Sequence, residues 1–255
     1  MIGQAWAAFP AGMCIATIVM VVGFGGGILW MPFLLIVLHL PTDTAIITSL
    51  LIQTAGTGSG SIAYMLQKKT DNRLALLMMS IAIPGVIVGA FFAHRIVPSN
   101  IEVIIGAISL ATALLFASSN EKFSETGVER VELKRAAGHS WIAVVMAVAS
   151  GMLTLNIAEW LIPVMRNKMG LRMSNAVATC IVLTCGECFL GVWTHYFMGA
   201  KPDWAVAFWG IPGVIIGGQI GPRLAKGIDE RLLKEIFIFM LTLIGVHLVY
   251  KYFPM

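Results

Sequence analysis

Apolar runs of about twenty residues recur along nearly the whole of this sequence. Each is long enough to cross roughly 30 Å of hydrocarbon as a helix. No water is available there to satisfy the backbone, so only helices or a closed barrel are possible. The runs lack the two-residue alternation of barrel strands, and the expectation is therefore an all-α polytopic membrane protein. Charge agrees: Asp, Glu, Lys and Arg make up 12% of the 255 residues, about half the share usual in a soluble domain.

The first basic residue is Lys68, so the opening run lacks the basic segment of a secretory signal. No basic stripe of the kind that binds nucleic acid is visible. The four cysteines, Cys14, Cys180, Cys185 and Cys188, all lie in apolar runs and offer no disulfide framework.

Eight hydrophobic elements are expected, at about 4–40, 43–66, 72–94, 99–118, 139–168, 173–198, 203–224 and 230–250. Turn and cap signals separate them, among them Pro41-Thr42-Asp43, Asp71-Asn72, Met173-Ser174-Asn175 and Pro202-Asp203. A polar stretch divides the chain into a membrane half at 1–118, a solvated cytoplasmic linker at 119–138 and a second membrane half at 139–255. The halves are related. Ile83-Pro84-Gly85-Val86-Ile87-Val88-Gly89 matches Ile211-Pro212-Gly213-Val214-Ile215-Ile216-Gly217 at six of seven positions. Pro32, Leu40, Ala45 and Thr48 match Pro163, Leu171, Ala176 and Thr179, all four at one constant offset. Two blocks in one order point to duplication, a common transporter architecture with its binding site between the repeats.

Residues 4–40 carry no charge, yet Gly23-Phe24-Gly25-Gly26-Gly27 interrupts them. A straight helix of that length would measure roughly 55 Å, too long for one crossing. A re-entrant hairpin broken at the glycines fits, and non-helical backbone at that depth must be buried in protein or line a cavity. If elements one and five both enter and return, 14 of the 17 Lys and Arg fall on one side, a positive-inside pattern. The expected fold is two homologous inverted repeats, each a re-entrant or broken helix plus three transmembrane helices. The chain would sit in the cell inner membrane with both termini outside the cytoplasm.

The glycine cluster would let a half-helix begin near Ile28 and aim free N–H groups at the midplane, a ready anion site; tight packing of small residues is the alternative. The second element adds small polar groups, including Thr48, Ser49 and Gln53, and the repeat supplies Thr179 and Thr184. Such hydroxyls and amides could hold an oxyanion without a full positive charge, or could simply bond helix to helix. Glu159 and Glu187 are the acidic residues well inside hydrophobic elements, and a buried carboxyl suits proton coupling or a structural hydrogen bond. Cys185-Gly186-Glu187-Cys188 invites a redox or metal reading, but no second Cys or His pair completes a metal site, and packing cysteines are the plainer reading. Trp30, Trp141, Trp204 and Trp209 stand near element ends, where interface anchors belong.

With these residues in hand, the chain resembles the TauE/SafE sulfite-exporter family of membrane permeases. The likeness rests on Gly23-Phe24-Gly25-Gly26-Gly27 with Pro32, the region of Thr48, the duplicated Ile-Pro-Gly-Val-Ile-x-Gly block and the chain length. It implies ATP-independent transport of sulfite, an organosulfonate or a related sulfur anion, and the inverted repeats suggest alternating access. It implies neither an enzyme nor a cofactor or metal. Substrate contacts would fall on Gly25, Gly26, Gly27, Thr48, Ser49, Gln53, Asn156 and Thr179, with Glu159 and Glu187 as candidate proton carriers. Many members repeat the glycine cluster in the second half; here Asn156-Ile157-Ala158-Glu159 stands in its place. The lipid bilayer is the expected surrounding, and protons and a second copy of the chain are left open as partners. A passive anion channel, and a sulfur-relay or redox protein using Cys185 and Cys188, are the alternatives.

Overall fold

A computed structural model describes residues 2–23, 25–93, 127–132 and 168–225 continuously, with isolated positions between 103 and 165 and between 235 and 250. A 3-10 turn, Ile2–Ala7, leads into α1, Ala8–Val22. Helix α2, Gly27–Pro32, continues as a wider π-wound turn, Phe33–Val37. Then come α3, Thr42–Leu66, α4, Asn72–Ala93, α5, Met173–Phe197, and α6, Trp204–Leu224. The bounds of α3 to α6 agree with the sequence expectation to within a residue or so. Most of 99–118, 139–168 and 230–250 lies outside the described residues. Four stretches, Gln4–Val22, Asn72–Phe92, Ser174–Phe197 and Trp204–Leu224, are long and apolar enough to cross a membrane. Helix α3 is as long but rich in Thr, Ser and Gly, and it is buried over most of its length between α5 and α6. Its polar groups therefore face protein, where they can be satisfied.

Residues 4–40 form two arms broken at the glycines. Helix α1 stops at Gly23, whose φ of +86° suits glycine and whose N–H reaches the Val19 carbonyl at 2.8 Å. A side chain there would also strike Val177. Helix α1 runs alongside α6 in the same direction: Gly210 faces Gly12, Gly217 faces Met13 and Thr17, and Gly221 faces Thr17 and Met20. The chain then returns, and α3 begins beside the start of α6, where Asp203 N donates to Thr48 Oγ1 at 2.9 Å. Entry and exit are thus at one end of the bundle. The arms are unequal, for the first is long enough to cross whereas the return arm has 6 helical residues and 5 more, roughly 16 Å. Pro32 lacks an N–H, and the ladder beyond it widens, with Leu38 N bonding Phe33 O at 3.2 Å.

The same backbone devices recur at the repeat offset in the second half. Leu40 N reaches Leu34 O at 3.0 Å, and Leu171 N reaches Met165 O at 3.0 Å. His39 and Gly170, with φ of 51° and 75°, turn the chain at equivalent points, as do Lys68 and Gly199 after α3 and α5. The duplicated Pro-Gly blocks also have one job. Gly85 lies against Val144, Ala147 and Val148, and Gly213 against Phe9 and Met13, so each lets a helix of the other half approach its backbone.

The two ends of the bundle differ. Gln67 Nε2 donates to Pro222 O at 3.5 Å and Asn175 Nδ2 to Lys69 O at 2.9 Å, which gathers Lys68, Lys69, Arg73, Arg172 and Arg223 at one end. The other end carries exposed Trp193, Tyr196, Phe197, Trp204 and Phe208, with Trp193 stacked on Phe197 at 5.8 Å. Aromatic side chains favour the membrane–water boundary. Trp204 and Trp209 are exposed as an anchor requires, but Trp30 is fully buried beside the glycine turn and belongs to the core. The linker is not simply solvated either. Val128 pairs with Leu171 through bonds to Gly170 O and from Arg172 N, both 2.9 Å, and Glu129 meets Arg172 at 2.9 Å.

Candidate ligand site at the glycine turn

Gly25, Gly26 and Gly27 are all buried, at the turn that opens α2. A Cβ at Gly26 would stand 3.2 Å from Trp30 Cδ1 and 3.3 Å from Gln53 Cγ. The turn is therefore pressed against the middle of α3, and glycine allows that approach. Gln53 Nε2 donates to Ser49 Oγ, one helical turn earlier, at 2.8 Å. Gln53 Oε1 lies 4.0 Å from the Cys188 thiol of α5. Gly26 and Gln53 are thus brought together, with Ser49 bonded to Gln53 and Cys188 facing Gln53 from the second half.

Thr48 and Thr179 stand elsewhere. Thr48 is five residues from Gln53 and so on a different face of α3, where its hydroxyl accepts from Asp203 N. Thr179 accepts from Asp71 N at 3.0 Å. Both acceptors hold the first residues of a helix of the other half, for Asp71 Oδ1 caps Leu74 N at 3.2 Å, and Asp203 Oδ1 caps Ala205 N and Val206 N at 2.9 and 3.1 Å. Asn156 and Glu159 lie outside the described residues. Glu187 is 2% exposed, on α5 one position before Cys188.

Helices α3 and α5 run antiparallel. Cys185 Sγ points at Thr54 O at 3.8 Å, Leu50 packs on Gly191, and the two Thr–Asp bonds lie at opposite ends of the bundle. Two features escaped the sequence reading. Tyr64 donates to Met20 O at 2.6 Å and so satisfies a carbonyl in the last turn of α1. Asp71 Oδ2 accepts from Val131 N at 3.0 Å and ties the linker to α4. Thr184, which the repeat offset already named as the counterpart of Gln53, has its hydroxyl buried with no hydrogen-bond partner among the described residues.

A family model described as sulfite exporter TauE/SafE matches residues 8–248. The "Probable membrane transporter protein YunE" of Bacillus subtilis (strain 168) is 25% identical over 94% of this chain and 95% of its own length. A "Probable membrane transporter protein" of Xylella fastidiosa (strain 9a5c) is 22% identical over 90% of this chain and 88% of its own. No solved structure matches.

Proposed function

Because this chain belongs to the TauE/SafE sulfite exporter family and is a multi-pass membrane transporter, we propose that it is a secondary exporter of a small sulfur-containing anion such as sulfite or an organosulfonate. The observation that carries this reading is the buried glycine turn packed against Gln53, whose amide donates to Ser49, in the middle of α3. Backbone N–H groups at the start of a return arm, an amide and a hydroxyl together suit an oxyanion. No Lys or Arg lies within α1, α2, α3 or α5, so dipoles rather than a full charge would hold it.

The halves act in this reading as inverted repeats that rock about the ligand. The antiparallel course of α3 and α5 and the reciprocal Thr48–Asp203 and Thr179–Asp71 bonds support it. The basic end, with the linker docked on it, faces the cytoplasm of a cell with an inner membrane, and both termini face the other side. Asn156 is the proposed second-half counterpart of the glycines. Glu187 and Glu159 are the proposed proton carriers.

Thermal stability in detergent tests the site, since a ligand that binds the folded state raises the melting temperature. The set is sulfite, sulfate, taurine, sulfoacetate and chloride. The expected result is a rise with a sulfur anion that is lost in Gly26→Leu, where the side chain would push against Trp30 and Gln53. No rise at concentrations well above millimolar would count against an anion carrier. In vesicles, anion flux that ignores a pH gradient would favour a channel.

A further inference from the structure

Threonines within helices ordinarily fold the hydroxyl back on the carbonyl four residues earlier. Thr17, Thr54, Thr57, Thr194 and Thr242 all do so, at 2.7 to 2.8 Å. Thr48 and Thr179 instead accept from an aspartate N–H. Thr184 does neither. It is 0% exposed, and among the described residues its Oγ1 has no hydrogen-bond partner. A buried hydroxyl left in that state costs about 1–3 kcal/mol.

Its position says what it faces. Val177, Thr184 and Cys188 follow at intervals of seven and four, so they share one face of α5. Val177 packs on Gly23 at the start of the glycine turn, and Cys188 meets Gln53, the α3 residue against which Gly26 packs. Thr184 lies between these two contacts along α5. It is also the repeat counterpart of Gln53, at the same offset that relates Thr48 to Thr179.

We infer that Thr184 is the ligand-binding hydroxyl of the second half, donating to a singly charged oxyanion held between it and the Gly26–Gln53 side. The inference rests on the site proposed above. The charge class follows from the lining: a hydroxyl, an amide and backbone dipoles compensate one charge more readily than two, because the desolvation cost climbs with the square of the charge. Methanesulfonate is the singly charged probe and sulfate the doubly charged one.

The test compares wild type, Thr184→Val and Thr184→Ser by melting temperature with and without each probe. Valine keeps the shape and removes a hydroxyl that has no partner, so the ligand-free protein should melt no lower than wild type. Methanesulfonate should bind wild type and Thr184→Ser alike, bind Thr184→Val about tenfold more weakly, and bind wild type better than sulfate does. Unchanged affinity in Thr184→Val overturns this inference and leaves the proposed site standing. A lower melting temperature for ligand-free Thr184→Val assigns the hydroxyl to the fold and also overturns it, as does sulfate binding as tightly as methanesulfonate. Wild type that responds to neither methanesulfonate nor the sulfur anions named above overturns both readings.

Discussion

Cys185 of α5 points its thiol at the carbonyl of Thr54 in α3, Sγ to O 3.8 Å, and the two residues are repeat counterparts. A residue meets its own counterpart only where the two equivalent helices cross. That crossing is the natural pivot if the halves move against each other, and it can be pinned chemically.

Gly58 supplies the pin. A Cβ built there stands 3.6 Å from Cys185 Sγ, close to the reach of a disulfide. Gly58→Cys should crosslink to Cys185 under mild oxidation. After cleavage of the linker by an inserted protease site, the two halves should stay together on a non-reducing gel and separate on a reducing one. Gly58→Cys with Cys185→Ser should give no such species. Separation of the halves in the oxidised single variant would refute the register of α3 against α5.

Thr48 and Thr179 hold backbone N–H groups rather than the glycine turn. Thr48→Val and Thr179→Val should therefore each cost about 1–3 kcal/mol, the penalty for leaving an N–H without its acceptor. The two sites lie at opposite ends of the bundle, so their effects on melting temperature should add. The ligand-induced rise should persist in both. Normal stability combined with lost ligand response would return these threonines to the binding site.

Asp71 and Asp203 cap equivalent helices but are not used alike. Asp203 accepts two N–H groups on Oδ1, whereas Asp71 divides its oxygens between Leu74 N and Val131 N. Asparagine caps a helix nearly as well as aspartate, so Asp203→Asn should change stability by less than about 0.5 kcal/mol. Asp71→Asn keeps the cap but turns an amide NH2 toward the Val131 N–H, donor against donor. It should loosen the linker, seen as faster proteolysis around 119–138 with α4 intact. Equal proteolysis in the two variants would show that the linker is held elsewhere, for example by Arg172 and Asn175.

These relationships mark where sequence reasoning stops. The bounds of α3, α4, α5 and α6 were legible because Pro41, Asp71 and Pro202-Asp203 punctuate the apolar runs. The break in the first run was legible because a charge-free run of that length cannot be one helix, and the glycines fix its place. The closeness of Gly26 to Gln53 and Ser49 was expected from small and polar residues in consecutive elements. Which face of α3 meets which neighbour was not legible. Periodicity tells that Thr48 and Gln53 point apart, but not that one meets Asp203 and the other the glycine turn. Trp30 near a helix end reads as an anchor until the return arm is folded inward. Docking of the linker rests on contacts between residues far apart in the chain, Val131 with Asp71 and Arg172 with Glu129, and no local pattern announces them.

Glu187 gives the sharpest test of coupling. It is buried on α5 next to Cys188, which faces Gln53. A carboxylate so close to a bound anion would repel it, so the anion-loaded state should carry the carboxyl in its neutral form. Glutamine imitates that form at every pH. Glu187→Gln should therefore bind the anion as tightly at pH 8 as at pH 6, whereas wild type should weaken as pH rises, because the carboxyl must then take up a proton from a scarcer supply. In vesicles the variant should still exchange labelled anion across the membrane. It should lose the flux driven by a pH gradient by at least about tenfold, about 1.4 kcal/mol of lost drive. Binding measured against pH and flux measured with and without the gradient decide the matter together. A variant that keeps the wild-type pH dependence in both would remove Glu187 from the proton path and leave Glu159 as the group to examine.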